Sequence, residues 1–425
     1  MSFLHIVSLI TPKCIKRYYH VTKIKLIARQ FAKQYDKVLL RLKTQDKIKV
    51  AFFLIHSSVW KFDCLFKLMQ ENEKFDPIII ICPYKTYGKD VMLDDMAKCE
   101  EMIKKKGYPY LSTYNQEQDS WLDVKNELKP DIVFFTNPYD GLTKEEYYIL
   151  NYTDSLNCYV TYSSVVFGNL QWELNQPFHN YIWKYFIEND IIKKLANESR
   201  ISKIQNCEVT GFPVFDDRSR TEYKTSNVWH HQQKIKIIWA PHHTIEDNPI
   251  IHFSTFLAYA TPMWELAQQY KDTVQFAFKP HPILRNKLTL LWGKDKTDEY
   301  YDMWANGENT QFENGEYIDL FFTSDAMIFD SVSFISEYLY TQKPSLFINV
   351  DPTKLVLNEF GRIAISCHEK ATNMAQIIAF VDRIIRGDID PKAGQKKLFY
   401  EKYIAQYHTP NASTNILEYL TKTIA

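Results

Sequence analysis

The sequence predicts an α/β protein made of two doubly wound, Rossmann-like domains that face each other across a cleft, with a basic helix before them. Continuous apolar runs, such as 49–55 and 75–83, are typical of parallel strands buried on both faces. These runs alternate with helical segments in two successive series. A polar stretch over 216–233 separates the series and is the best candidate for a linker.

Each series is an ordered set of predicted elements. The first has strands at 49–55, 75–83, near Tyr108, 131–135, 157–161 and 207–211, and helices at 61–70, 93–105 and 120–128. The second has strands at 234–239, 274–278, 317–322, 326–329 and 345–350, and helices at 254–270, 333–340 and 372–386. We therefore predict a leader over 1–48, an acceptor-side domain over 49–222 and a nucleotide-donor domain over 223–405. A final segment, 406–425, contains a helix over 412–422 that we expect to pack back on the first domain.

Composition excludes several classes of protein. With 45% hydrophobic and 24% charged residues, the chain of 425 residues is globular rather than disordered. It has only 11 glycines and no G-x-G-x-x-G or G-x-x-x-x-G-K-[ST] motif, so a phosphate site must use helix starts and side chains. No apolar stretch reaches the roughly 18 residues that span a bilayer, and the first ten residues lack the charged start of a secretory signal. We expect a cytoplasmic protein.

Cysteines and charge add two expectations. The seven cysteines are scattered without a C-x-x-C pair, which favours buried free thiols in a reducing compartment. Residues 1–49 hold twelve Lys or Arg against two acidic residues, and 15–42 mixes the basic residues with apolar ones at helical spacing. Such a helix can rest on anionic lipid at the inner face of the membrane. The alternative is a leading helix packed on the body with a solvated basic face; we do not expect nucleic acid as a partner.

Three strand ends in the second series carry polar residues. Asp330, Ser331 and Ser333 follow an apolar strand and precede a helix, where hydroxyls and backbone N–H groups can hold an anion. His242 and His243 follow another strand. Lys279 and His281 follow a third, with prolines on both sides of the histidine. Because the carboxyl ends of parallel strands share one sheet edge, these residues predict a single diphosphate site without a metal.

A family resemblance joins these motifs. The chain has, in order, Ala240-Pro241, Lys279-Pro280-His281-Pro282, Ser324-Asp325, Asp330-Ser331-x-Ser333-x3-Glu337, Lys343-Pro344 and Asn411-Ala-Ser-x-x-Ile416. This set resembles the CDP-glycerol glycerophosphotransferase family, which builds the poly(glycerol phosphate) of teichoic acids and related capsules on a GT-B scaffold. The resemblance extends over about 205–420 and is weak before residue 150.

The resemblance implies roles for individual residues. It places His281 at the active site, where the imidazole would contact or protonate the diphosphate leaving group. It places Glu337 where a carboxylate can hold a ribose hydroxyl. His242 and His243 stand where the family more often has Thr and Arg, and could offer charge to a phosphate or accept a proton. Lys279 could neutralise phosphate. For each of these residues the alternative is a structural or solvated side chain.

The catalytic base is not assigned by the resemblance. Relatives carry a His-Gly-Thr motif in the first domain, whereas this chain has Tyr162-Ser163-Ser164 followed by Val-Val-Phe167-Gly168 at the corresponding place. His56, at the end of the first strand, is one candidate for the base and Asp63 is another. Asp94-Asp95 and Asp216-Asp217 lack the spacing of a metal motif, so we expect no metal and no other cofactor.

The sequence therefore predicts a transferase that moves glycerol phosphate, or a similar polyol phosphate, from a CDP-linked donor to a hydroxyl of a lipid-linked or polymeric acceptor. Two alternatives stay open: a GT-B glycosyltransferase that uses a UDP- or CMP-sugar, and a non-catalytic binding member of the family.

Overall fold

The computed structural model describes residues 13–219, 223–246, 253–349, 351 and 355–425. Expectations for the first twelve residues lie outside the described part of the chain. The chain divides into two compact units. Unit 1 is formed by Met1–Tyr162, Leu170–Pro213 and Ala412–Ala425, and unit 2 by Ser163–Asn169 and Val214–Asn411. The boundaries predicted at 48/49, 222/223 and 405/406 stay predictions.

Unit 1 contains a seven-stranded parallel sheet with the strand order β3-β2-β1-β6-β7-β8-β9. Its strands are β1 Ile48–Leu54, β2 Phe75–Ile81, β3 Tyr110–Ser112, β6 Ile132–Phe135, β7 Leu156–Val160, β8 Lys184–Ile187 and β9 Cys207–Val209. Between β3 and β6, the strands β4 Tyr114–Asn115 and β5 Ser120–Trp121 form a small antiparallel pair. The central strands are buried along their length because helices cover both faces of such a sheet.

The helices of unit 1 before residue 200 are α1 Lys13–Leu42, α2 Asp63–Gln70, α3 Lys89–Lys106, α4 Val124–Glu127, α5 Leu170–Glu173, α6 Pro177–Tyr181 and α7 Asp190–Ser199. The long helix α1 buries one side. At a spacing of three to four residues it buries Ile24, Ala28, Phe31, Tyr35, Val38 and Leu42. The Tyr35 hydroxyl donates to the Tyr181 carbonyl at 2.6 Å, which fixes α1 to the unit.

Unit 2 contains a six-stranded parallel sheet with the order β12-β11-β10-β13-β14-β15. Its strands are β10 Ile235–Ala240, β11 Val274–Phe278, β12 Thr310–Phe312, β13 Ala326–Phe329, β14 Ser345–Ile348 and β15 Glu369–Ala371. Its helices are α8 Phe256–Gln269, α9 Leu284–Trp292, α10 Lys294–Asn306, α11 Ile318–Thr323, α12 Phe334–Glu337, α13 Glu359–Ile365, α14 Met374–Arg386 and α15 Ala393–Tyr403. The order reverses at β10, so the chain leaves β10 and β13 in opposite directions. That reversal opens a crevice at their carboxyl ends.

The last helix, α16 Ala412–Ile424, groups with unit 1 and contacts α2 and α1. Its buried residues Ile416, Leu420 and Ile424 recur every four positions and form the packed side. Asn415 donates to the Thr210 carbonyl at 3.0 Å, which ties the start of this helix to the end of β9.

Some predicted elements differ from the structure. The segment 120–128, predicted as a helix, is the strand β5 followed by the single turn α4. The segment 317–322, predicted as a strand, is the helix α11. Tyr317, Leu320 and Phe321 are buried at a spacing of three to four residues. This is the periodicity of a helix and not the alternation of a strand.

Six cysteines are described with side chains, and each is a buried thiol outside any disulfide bond: Cys64, Cys82, Cys99, Cys158, Cys207 and Cys367. The prediction of buried thiols is confirmed for these six. Within the described residues, no helix is both long and apolar enough to cross a bilayer.

Candidate active site

The polar strand ends of unit 2 meet at the crevice. β11, β10 and β13 are neighbours in the sheet, so the segments after Phe278, Ala240 and Phe329 leave the same edge side by side. The structure thereby brings together His281, His242, His243 and Asp330, which the sequence predicted to share one site.

Three imidazoles form the centre of this cluster. The ring centroids of His243 and His281 are 4.2 Å apart, those of His242 and His243 4.3 Å, and those of His242 and His281 5.2 Å. His281 is held by its own backbone, because its N–H donates to the Pro241 carbonyl at 3.0 Å across the β10–β11 edge. The rings therefore converge on one volume.

Hydrogen bonds decide which ring nitrogens carry protons. The Thr244 hydroxyl oxygen accepts the backbone N–H groups of Phe253 and Ser254, both at 3.1 Å, so its own proton points to Nδ1 of His242 at 3.1 Å. Nδ1 of His281 accepts the Ile283 N–H at 3.2 Å. With Nδ1 acting as an acceptor in both rings, the neutral tautomers of His242 and His281 carry their proton on Nε2.

This tautomer assignment bears on what the cluster can bind. By distance alone the three histidines could hold a metal ion, because one nitrogen of each lies within 4.8 Å of the others. A metal needs a lone pair, however, and an Nε2–H group presents a hydrogen-bond donor. The Nε2–H groups of His242 and His281 therefore suit an anion better than a metal cation. Nδ1 of His243 is buried without a hydrogen-bond partner among the described residues, so it is available to a ligand.

The electrostatics of the site come from the neutral rings of His242 and His243 and from two lysines. Burial and the neighbouring His243 lower the pKa of His242 well below its usual value. Burial, together with the nearby Lys287, lowers the pKa of His243 to about 4. Lys287, on α9, pairs with Glu246 at 2.7 Å. Lys279 is buried, with its Nζ 5.9 Å from the Tyr317 ring centroid.

Asp330 braces the cluster through both carboxylate oxygens. Oδ1 accepts the His242 N–H at 2.5 Å, and Oδ2 accepts the N–H and hydroxyl of Thr255 at 2.5 and 2.8 Å. Thr255 precedes α8, so one carboxylate connects β13, the segment after β10 and the start of a helix. Burial raises the pKa of Asp330 to about 7. This geometry makes Asp330 a positioning residue for His242.

The turn after β13 offers backbone donors. Among the described residues, no carbonyl or side chain accepts the backbone N–H groups of Ser331, Val332 or Ser333. Ser333 precedes α12, and its hydroxyl makes no capping bond to that helix. The helix itself has four residues and continues as a 3₁₀ turn over Tyr338–Thr341, shorter than the predicted 333–340 helix. Three adjacent N–H groups at a strand end, with no acceptor among the described residues, are donors from which an anion site can be built.

Glu337 lies inside unit 2, buried to 1% exposure. Its Oε1 accepts the Ser164 N–H at 3.2 Å, and its Oε2 accepts the Tyr317 hydroxyl. Ser164 belongs to the segment 163–169, which packs on unit 2. Asn358 donates to the Val165 carbonyl at 2.8 Å, and a Cβ added to Gly361 would lie 2.3 Å from the Val166 carbonyl oxygen. The segment at the place of the family's His-Gly-Thr motif is thus anchored by Glu337 and α13.

In unit 1, His56 follows β1 at the carboxyl edge of that sheet and caps a 3₁₀ turn over Ser57–Val59. Its Nδ1 accepts the Ser58 N–H at 3.1 Å and lies 2.8 Å from the Ser58 hydroxyl. Its Nε2 lies 3.6 Å from Oδ1 of Asp95. Burial lowers the pKa of His56 and raises that of Asp95, so burial favours the neutral imidazole beside the Asp95 carboxyl group.

Asp63, the other predicted candidate for the base, has structural partners. Its Oδ1 accepts Nε1–H of Trp60 and the Tyr108 hydroxyl, both at 3.0 Å, and its Oδ2 lies 3.1 Å from Nζ of Lys106. Asp95 was missed as a candidate. A signal was present, because Asp95 is the one acidic residue among the buried positions Met92, Asp95, Met96, Cys99 and Ile103 of α3.

Comparison with known proteins shows what this arrangement is similar to. A family model described as CDP-glycerol:poly(glycerophosphate) glycerophosphotransferase matches residues 173–421. Among solved structures, a wall teichoic acid polymerase TagF variant soaked with CDPG has a TM-score of 0.57 at 12% identity, covering 97% of this chain and 98% of that chain. The Staphylococcus aureus protein MnaA in complex with UDP has a TM-score of 0.53 at 14% identity, covering 89% and 96%. The comparison with curated proteins gives no match.

The two parallel sheets and these structural neighbours define a GT-B-like α/β protein, which confirms the predicted fold class. The family model spans more than half of the chain. The chain belongs to the CDP-glycerol:poly(glycerophosphate) glycerophosphotransferase family and is a glycerophosphotransferase-like transferase.

Proposed function

We propose that unit 2 binds a CDP-linked alcohol and that the protein transfers its glycerol phosphate, or a similar polyol phosphate, to a hydroxyl of a lipid-linked or polymeric acceptor. CMP is released, and the product belongs to teichoic acid or capsule synthesis. The observation that supports this most is the set of hydrogen-bond donors after β13, β10 and β11. Three backbone N–H groups at Ser331–Ser333 and the Nε2–H groups of His242 and His281 follow neighbouring strands and so lie at one sheet edge.

The chemistry assigned to these residues is electrostatic. The acceptor oxygen attacks the phosphorus attached to glycerol, the bond from that phosphorus to the bridging oxygen breaks, and CMP leaves with the electron pair. Backbone N–H groups and imidazole N–H groups stabilise the negative charge that develops on the diphosphate, because they are already oriented toward it. Lys279 and Lys287 add positive charge in the same unit, and Glu337 is proposed as the contact to a ribose hydroxyl.

The identity of the base is also part of the proposal. Within unit 1, a hydroxyl proton would pass to the Ser58 oxygen while the Ser58 proton moves to Nδ1 of His56. The imidazolium that forms is stabilised by Asp95 through Nε2–H. Protonation of Nδ1 costs the 3.1 Å contact with the Ser58 N–H, and the Asp95 carboxylate offsets this cost.

A ligand screen with two variants tests the donor site. We expect CDP and CMP to raise the melting temperature of the wild-type protein more than UDP does. Ser333→Pro removes the backbone N–H, and the Ser333 φ of −62° already suits proline. Because a hydrogen bond to a charged group contributes about 1.5–3 kcal/mol, Ser333→Pro should weaken CDP binding roughly 10- to 100-fold. Ser333→Ala, which keeps the N–H, should change it little.

The outcomes of this screen are distinct. Equal weakening by the alanine and proline variants would assign the contact to the hydroxyl and contradict the backbone site. Selective stabilisation by UDP would favour the sugar-nucleotide alternative. Circular dichroism of the unliganded proline variant controls for misfolding.

A substitution at His56 tests the base separately. Asparagine is a good capping residue, so His56→Asn keeps an acceptor for the Ser58 N–H while removing the titrating ring. We expect His56→Asn to lower the transfer rate roughly 100-fold and to leave the affinity for the CDP-linked donor unchanged. The His56→Asn rate is compared with that of Asp95→Asn, which should lose activity in the same direction. Full transfer activity in His56→Asn would remove His56 from the mechanism without affecting the donor site.

A further inference from the structure

A groove lies between α8 and α10 on the surface of unit 2. It has a volume of about 680 Å³. One wall is the side of α8 from Leu257 to Trp264, and the other is the side of α10 from Lys296 to Met303. Along both helices the lining residues recur every three to four positions, so each wall is one helix face. The Tyr300 hydroxyl donates to the Ala260 carbonyl at 2.9 Å. The groove is therefore built into the packing of these two helices.

Exposed apolar side chains border this groove. Leu257 and Leu291 line it with exposed fractions of 46% and 57%, and Leu290, the neighbour of Leu291 on α9, is 82% exposed. Trp264 and Trp292 line the same groove and are half-buried. Single exposed leucines are common on monomers, whereas an apolar patch that continues into a groove is characteristic of an interaction surface. Tryptophan is also among the residues that contribute most to the affinity of protein–protein interfaces.

Two opposite charges lie three positions apart on the α10 wall. Lys296 and Glu299 both line the groove and are exposed. Within the part of the chain that the structure describes, neither forms an ion pair, whereas Asp298 between them pairs with Arg285 at 2.8 Å. Nζ of Lys296 lies 5.2 Å from the ring centroid of Trp292, so this cation rests on the aromatic lining. The groove therefore offers one uncompensated charge of each sign, one helical turn apart.

This arrangement of charges is complementary to itself. A two-fold axis perpendicular to α10, passing midway between Lys296 and Glu299, sets the helix antiparallel to the same helix of a second copy. Each Lys296 then faces Glu299 of the partner subunit, so the ion pair forms twice. The same rotation brings the end of α9, with Leu290 and Leu291, opposite the Met303 end of the other groove, because α9 leads directly into the start of α10. Apolar surface therefore meets apolar surface, and each charge meets its opposite.

From this self-complementarity we propose that the groove between α8 and α10 is the interface of a symmetric dimer of this chain. Burial of the apolar side chains drives the association, and the two Lys296–Glu299 pairs select the antiparallel arrangement. A partner with charges of only one sign would leave one of the groove charges uncompensated, whereas a second copy supplies both at the matching spacing. All of these residues belong to unit 2. The inference concerns self-association and does not rest on the proposed transfer reaction.

Sedimentation equilibrium of the full chain tests the proposal by exchanging charges. We expect a monomer–dimer equilibrium for the wild type. K296E and E299K each place like charges opposite each other at two points, so each should weaken dimerisation roughly 10- to 100-fold. The double variant K296E/E299K restores opposite charges with their signs exchanged and should dimerise like the wild type. L290S/L291S removes exposed apolar surface and should also weaken the dimer. The matched control K370E reverses an exposed lysine outside the groove and should change nothing.

A mixture of the two single variants gives the sharpest result. K296E has two acidic side chains at these positions and E299K has two basic ones, so the mixture should form a heterodimer although each variant alone dimerises poorly. A wild type that stays monomeric at every concentration would overturn the proposal and leave the groove to a partner of another kind. Unchanged dimerisation in all variants would place the interface elsewhere, and weakening without recovery in the double variant or the mixture would contradict the paired charges. Because no readout uses CDP-glycerol, a failed donor screen would leave this result intact.

Discussion

Replacing His281 with asparagine is expected to lower the rate of CMP release from CDP-glycerol by a factor of roughly 10² to 10⁴. The imidazole Nε2–H is one of the donors that meet at the crevice, and the tautomer that carries it is fixed by the Ile283 N–H on Nδ1. Asparagine keeps an acceptor for that N–H but has no donor at the position of Nε2. The turn after β11 is thereby preserved, so the substitution should lower the reaction rate without altering the local structure. Steady-state release of CMP measures it.

A matched histidine controls for general effects. His230 is exposed in unit 2 and is not one of the three clustered imidazoles, so His230→Asn should retain full activity. Equal turnover in His281→Asn and the wild type would show that this imidazole takes no part in the reaction. Unchanged melting temperatures in both variants would establish that any loss is chemical.

Replacing Asp330 with alanine is expected to destabilise unit 2 by about 3–5 kcal/mol, since each buried donor left without an acceptor costs roughly 1–3 kcal/mol. Three donors lose their partner in this variant: the His242 N–H, the Thr255 N–H and the Thr255 hydroxyl. Asp330 is buried to 1% exposure, so water cannot replace the carboxylate without a rearrangement of the site. Urea unfolding of the alanine variant measures the loss.

Asp325 provides the comparison for Asp330. It lies at the opposite end of β13, is exposed, and also accepts a backbone N–H, that of Lys236 at 2.8 Å. Asp325→Ala should cost less than about 1 kcal/mol because water can reach the freed donor. If Asp330→Ala and Asp325→Ala cost the same, the bracing role of Asp330 is wrong. If Asp330→Asn retains most of the stability but no longer binds CDP-glycerol, the carboxylate is the group that positions His242.

Much of the architecture could be predicted because parallel strands buried on both faces produce continuous apolar runs. The strand at 274–278 has the predicted bounds, and the strand predicted at 326–329 also agrees. The helices α9 and α10, over 284–306, were not predicted. Only Leu284, Leu288, Thr297, Tyr301 and Trp304 are buried along them, so their periodic signal is sparse.

The convergence of His281, His242, His243 and Asp330 could also be predicted, because strand ends in one parallel sheet share an edge. Their hydrogen-bond partners could not. Asp330 binds Thr255, which is 75 positions away in the sequence, and this contact depends on where α8 begins. Asp95 pairs with His56 because α3 packs its one buried carboxylate toward the end of β1. Contacts of this kind arise from tertiary packing and produce no local pattern in the sequence from which they could be predicted.

The most direct measurement is a crystal structure of the protein grown with CDP-glycerol. We expect the diphosphate oxygens to lie within about 3 Å of the backbone N–H groups of Ser331–Ser333 and of Nε2 of His281, as hydrogen bonds to an anion require. Nucleotide density elsewhere on unit 2, with those N–H groups still without an acceptor, would contradict the proposed donor site.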